Sequence, residues 1–158
     1  MQNSSPTNVP GYFQRYVDQV TETELFTALD NQTANISALL NSITEEKSTY
    51  AYAAEKWTIK ELLQHIIDTE RIFSYRALCI ARGEKITLPG FDENEYAANS
   101  NANNRSWKSL VAEFLVVRQS TQMLFNSFTE DALEVVGTAG SNNLRVRKIG
   151  FILVGHFN

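Results

Sequence analysis

The stretch from Trp57 to Gly83 leaves the chain the least conformational freedom. Thr58 followed three residues later by Glu61 is a capping box, in which two side chains satisfy N–H groups orphaned at a helix start. Behind it Leu62, Leu63, Ile66, Ile67, Phe73 and Leu78 recur at helical spacing, and Gly83 is a natural stop. The pattern predicts a helix over 58–82 whose broad apolar stripe has to be covered by other elements.

Two more segments read the same way. Thr21 and Glu24 have the spacing of a second capping box, and Leu25, Leu29, Ile36, Leu39, Leu40 and Ile43 predict a helix over 22–44. Ser106 opens a third helix that ends near Phe128, with Trp107, Leu110, Phe114, Leu115, Val117 and Met123 on its buried side. Residues 1–10, with Pro6 and Pro10, read as a loose arm, and "GYFQRYVDQV" as one or two turns of helix. In the turn-rich "ITLPGFDENEY", Asp92 can cap a short helix; "TEDAL" can add one turn, and "GTAGSNN" reads as a loop. The final "LRVRKIGFILVGHFN" is compatible with strand or helix. Val146, Ile149, Ile152, Leu153 and His156 share one helical face, and three long helices need a fourth to close a core, so a helix is expected. The sum is an all-α fold, an up-down four-helix bundle in a single domain over 11–158.

Charge narrows the partners. Fourteen basic against eighteen acidic residues leave a net charge of −4, the wrong balance for a surface that neutralises phosphates, so no nucleic-acid partner is expected. The single cysteine, Cys79, excludes an intramolecular disulfide and reads as a buried, inert thiol. The polar "MQNSSPTNVP" lacks the apolar stretch of a signal peptide, and no run approaches the roughly 18 apolar residues of a membrane helix. A cytoplasmic protein without a membrane partner is expected.

No glycine-rich phosphate loop, Cys-x-x-Cys, Gly-x-Ser-x-Gly or His-Glu-x-x-His is present. What remains is the chain's two histidines, His65 and His156, each set in an apolar helix face. Residues on facing helices of a bundle project into one interior, and two inward imidazoles there can share an ion. Two are fewer than the three protein ligands usual at a catalytic zinc, and a lone histidine on such a face is more often a hydrogen-bonded core residue. Asp68 and Glu70 could serve as general bases or as partners of the rings, although acidic helix residues usually form a solvated face. Arg71 and Arg76 are expected to pair with carboxylates, and Trp57 and Trp107 to belong to the core.

The run "WTIKELLQHIIDTERIFSYRALCIARGEKITLPGFDENEYA", residues 57–97, together with "VGTAGSNN" and "VRKIGFILVGHFN", resembles the DinB-like (damage-inducible) superfamily of four-helix bundles. The resemblance covers most of the chain. It implies that His65 and His156 are the first two ligands of a divalent metal, with zinc or nickel favoured. The family's last helix resembles Gly-His-x-x-His-His, which implies a third imidazole four positions after His156, two residues past Asn158. The domain is therefore expected to be cut short within its last helix. A site of this kind implies hydroxide for hydrolysis or a bound thiolate for transfer. The expected function is that of a metal-dependent hydrolase or low-molecular-weight thiol S-transferase acting on a small molecule in stress or detoxification chemistry. The alternative is a non-catalytic metal-binding or dimerisation module. A homodimer is expected, since such bundles pair through helix faces and Phe114, Leu115 and Val117 of the third helix can cover more than one side.

Overall fold

A computed structural model describes residues 11–158; the arm expected over 1–10 lies outside them. Four long helices carry the fold: α2 (Leu25–Ser42), α4 (Ile59–Ala81), α6 (Trp107–Asn126) and α8 (Val146–Phe157), with α1 (Gly11–Val17) and the short α3 (Glu45–Ser48), α5 (Glu93–Asn99) and α7 (Glu130–Glu134) around them. The expected helical bundle is present. Its principal interfaces join α4 to α6 and α8, and α2 to α6 and α8, so the order around the bundle is α2, α6, α4, α8. The side-chain bonds Glu70–Arg118 and Ser74–Thr121 climb α4 and α6 together, so these two neighbours run parallel. Gln32–Arg118 and Asp30–Gln122 show α2 running against α6. The long connection 82–106, which contains α5 and a 3-10 turn at Ala102–Asn104, carries the chain back along the bundle.

Local chemistry explains the helix ends. At α4 the capping box forms as expected: the Thr58 hydroxyl accepts from Glu61 N at 3.1 Å, and Glu61 Oε2 accepts from Thr58 N at 2.8 Å. The same pattern at Thr21 and Glu24 does not form. Helix α2 starts at Leu25, with Glu24 at the cap position and no side-chain cap bond. Burial of Leu25, whose methyl groups cover Gly150 of α8, sets the start instead. At its other end the helix stops at Ser42, because Thr44 caps a new turn by accepting from Lys47 N.

The segment read as a loop at "GTAGSNN" is a hairpin. Strands β1 (Val136–Ala139) and β2 (Asn142–Arg145) pair antiparallel across Gly140, whose φ is +57°. Leu88 clips onto it: its N–H donates to Thr138 O, and its carbonyl accepts from Gly140 N. Strands of four residues are too short to display an alternation that sequence could reveal.

Two apolar clusters fill the interior. One gathers Leu25 and Leu29 of α2, Phe73 and Ile80 of α4 and most of α8; the other gathers Ile36, Leu40, Ile67, Leu110 and Phe114. Phe114 and Val117 are therefore core residues and cannot also form a dimer face, while Met123, expected inside, is 67% exposed. Cys79 is half-buried rather than sealed. Between the clusters each of three helices inserts one polar side chain, Gln32, Glu70 and Arg118. Arg118 is fully buried; its Nε and Nη2 donate to the two oxygens of Glu70 at 2.7 and 2.9 Å, and its Nη1 donates to Gln32 Oε1 at 2.7 Å. Gln32 Nε2 in turn donates to the carbonyl of Val154, so this layer ties all four long helices together.

Candidate functional site

That layer sets the height of α8, and two residues beyond Val154 comes His156. Its partner His65 is one turn and a residue before Glu70 on α4 and is 8% exposed. The two Nε2 atoms lie 3.2 Å apart. Each ring is held by an aromatic wall: Trp57 lies 4.9 Å from His65 between centroids, and Tyr16 meets His156 edge-on at 5.1 Å. Trp57 is thus half-buried at the site rather than a core residue.

Gly155 makes the Tyr16 contact possible. A Cβ at this position would sit 1.8 Å from the Tyr16 carbonyl oxygen, so α1 can lie on α8 only where the side chain is a hydrogen. A glycine inside an apolar helix, next to a histidine, was the signal for this close approach.

Burial disfavours the protonated form of both rings. Desolvation pushes the His156 pKa down to about 4, helped by His65 and by the Arg15 charge. His65 is pushed down by burial as well, while Glu93 and Asp68 pull it back towards its ordinary value. Neutral imidazoles present lone pairs, which is what a metal requires. Two Zn–N bonds of about 2.0–2.1 Å at a tetrahedral angle place the nitrogens roughly 3.3–3.4 Å apart, close to the spacing observed. The donors fit a divalent ion in type and spacing and fall short in number. Among the described residues no group of three or more His, Cys, Asp or Glu side chains is placed to hold an ion.

The two carboxylates singled out on α4, Asp68 and Glu70, are otherwise engaged. Glu70 is held by Arg118 and is no free base. Asp68, whose pKa burial raises, accepts from Gln64 Nε2 at 2.9 Å and reaches His65 only through its field. Arg71 pairs with Glu113 as expected. Arg76 has no carboxylate partner among the described residues; it donates to Pro89 O at 2.9 Å.

Above the rings opens a cleft of about 350 Å³. Its walls are Tyr12, Phe13 and Tyr16 of α1, His65, Thr69, Phe73 and Arg76 of α4, and Ile152 and His156 of α8; the Gly90–Phe91 loop, Glu93 and the hairpin turn close it. Thr69 is 4% exposed and its hydroxyl has no hydrogen-bond partner among the described residues. Two other helical threonines bond back to the carbonyl four residues earlier, Thr33 to Leu29 O and Thr121 to Val117 O. Thr69 lies one turn from His65, a spacing readable in the sequence; Tyr16 carried no comparable signal.

Four helices around a pair of inward imidazoles define a bundle of the kind that builds metal sites in its interior. Residues 28–157 match the DinB superfamily, and the chain belongs to that superfamily. It is 25% identical over 75 residues to a candidate metal-dependent hydrolase of Oceanobacillus iheyensis; the match covers 48% of this chain and 43% of that protein. The fold is similar to YfiT of Bacillus subtilis, a candidate metal-dependent hydrolase with an unusual four-helix bundle topology (TM-score 0.73, 13% identity, 84% of this chain and 77% of YfiT). It is also similar to a mycothiol-dependent maleylpyruvate isomerase (TM-score 0.63, 15% identity, 79% of this chain and 56% of the isomerase). No helix among the described residues is long and apolar enough to cross a membrane.

Proposed function

We propose that the protein is a metal-dependent enzyme acting on a small molecule, with hydrolysis as the reaction class. The observation that carries this reading is the pair of imidazoles, 3.2 Å apart, at the floor of a cleft of about 350 Å³. His65 and His156 would hold a divalent ion, zinc or nickel, through their Nε2 atoms; bound there, it would supply a Lewis acid and a water acidified towards neutrality. Trp57 and Tyr16 fix the ring planes, and the apolar walls limit water around the rings. The name of the Oceanobacillus relative supports hydrolysis. Transfer of a low-molecular-weight thiol is the second reading, supported by the mycothiol dependence in the isomerase's name.

Zinc and nickel titrations by calorimetry test the proposal, on the wild type and on His65→Ala and His156→Ala. The expected result is one ion per chain, with affinity lost in either variant. Equal binding by the wild type and the double variant overturns it; a site that stays empty favours the alternative, a non-catalytic metal-binding or dimerisation module. A variant carrying a further imidazole one turn beyond His156 should bind more tightly. The homodimer would use the outer stripe of α6, where Val116 and Met123 are exposed two turns apart; sedimentation as a monomer at micromolar concentration rejects it.

A further inference from the structure

Arg76 is 6% exposed, yet no carboxylate among the described residues neutralises it. Its guanidinium carbon lies 4.8 Å from the centre of the Phe73 ring and 5.8 Å from that of Phe91, and Nη2 donates to Pro89 O. A guanidinium carries five N–H donors, and this contact uses one. Burying a charge without a counter-charge is costly, and the cost shows in the guanidinium pKa, which desolvation alone lowers. Arg76 lines the same cleft as the imidazole pair, with the unbonded Thr69 hydroxyl on the helix between them.

We propose that Arg76 binds the carboxylate of the substrate and that Thr69 donates a hydrogen bond along the way, so that the enzyme acts on small organic acids. This inference rests on the reading of the cleft as an active site and names the class of molecule that enters it. The α-carbons of His65 and Arg76 are eleven residues apart, about 16 Å along the helix. Helical side chains lean towards the N-terminus, and Arg76 reaches back over Phe73, three residues earlier, which shortens the span. The geometry selects an elongated acid: its carboxylate at Arg76 and its reacting group several bonds away at the imidazoles. A carboxylate suits the site better than a phosphate dianion, because Arg76 is the one Arg or Lys in the cleft lining, and Glu93 on the exposed rim repels further negative charge.

The test compares pentanoate with its neutral isostere pentanamide, titrated into the protein as purified and followed through the methyl resonance of Thr69. The wild type should prefer the anion by roughly tenfold or more, the worth of a charge-assisted pair. Arg76→Met keeps the packing stem and should abolish the preference; Arg76→Lys should retain part of it. Thr69→Ser should bind as the wild type does, read through the histidine ring protons. Equal binding of acid and amide by the wild type overturns the inference. So does a preference that survives Arg76→Met in a folded protein, or one that vanishes only when both histidines are replaced, since the metal would then hold the acid. Conversely, an Arg76-dependent preference in a protein that binds no zinc sinks the metal reading alone.

Discussion

Two groups of buried polar side chains sit within a few turns of each other on α4, and they are finished differently. In the layer of Gln32, Glu70 and Arg118 both carboxylate oxygens and the glutamine carbonyl are occupied, and the glutamine amide reaches α8. On either side of it, and among the described residues, His65 and His156 have no hydrogen-bond partner but each other, the Thr69 hydroxyl has none, and Arg76 has no carboxylate. A closed network fixes the register of helices. An open one keeps unspent hydrogen-bonding capacity facing a cleft, a cost the fold tolerates where something else binds.

The sharpest way to break this contrast is Arg118→Met, which leaves Glu70 buried without its cation. A loss of about 3–5 kcal/mol is expected in denaturant unfolding, because an uncompensated buried charge remains. A loss near 1 kcal/mol would show that the layer is not the clamp described. Next in size is the pH response of the metal-free protein. With the folded pKa of His156 depressed to about 4, the unfolded chain binds the proton first. Stability is therefore full above the ordinary histidine range and falls as pH drops from roughly 6.5 to 4, by about 3 kcal/mol from this ring. Melting curves over that window should flatten in His156→Phe; an unchanged slope would mean the ring is not held neutral. The smallest effect separates the two threonines. Thr69→Val should be neutral or stabilising by a few tenths of a kcal/mol, whereas Thr121→Val should cost about 1 kcal/mol for its lost bonds. Equal costs would mean that Thr69 is bonded in solution.

The fold was legible wherever a pattern ran over many turns. Helix α4 followed from its capping box and stripe, and α8 from five apolar-face positions in twelve residues. The two histidines stood out because nothing else in the chain resembled a ligand. Local rules failed where packing overrode them: Thr21 and Glu24 have the same spacing as Thr58 and Glu61, yet burial of Leu25 moved the helix start. The parallel course of α4 and α6 depends on where the connection 82–106 lands, which no local pattern encodes. Arg76 was misread for a related reason. An arginine near acidic residues in sequence is expected to pair, and only the three-dimensional neighbourhood shows that its neighbours are Phe73, Phe91 and a carbonyl.

The ring pair joins residues 91 positions apart. Holding two nitrogens together across so long a loop carries an entropic cost that an unfolded chain has no packing to offset. Any ligand that grips both imidazoles is therefore a ligand of the native state alone, and occupancy and folding become a single equilibrium. At a hundred times its dissociation constant such a ligand raises the unfolding free energy by about 2.7 kcal/mol. The melting temperature of this protein thus doubles as a binding assay that requires no knowledge of the reaction.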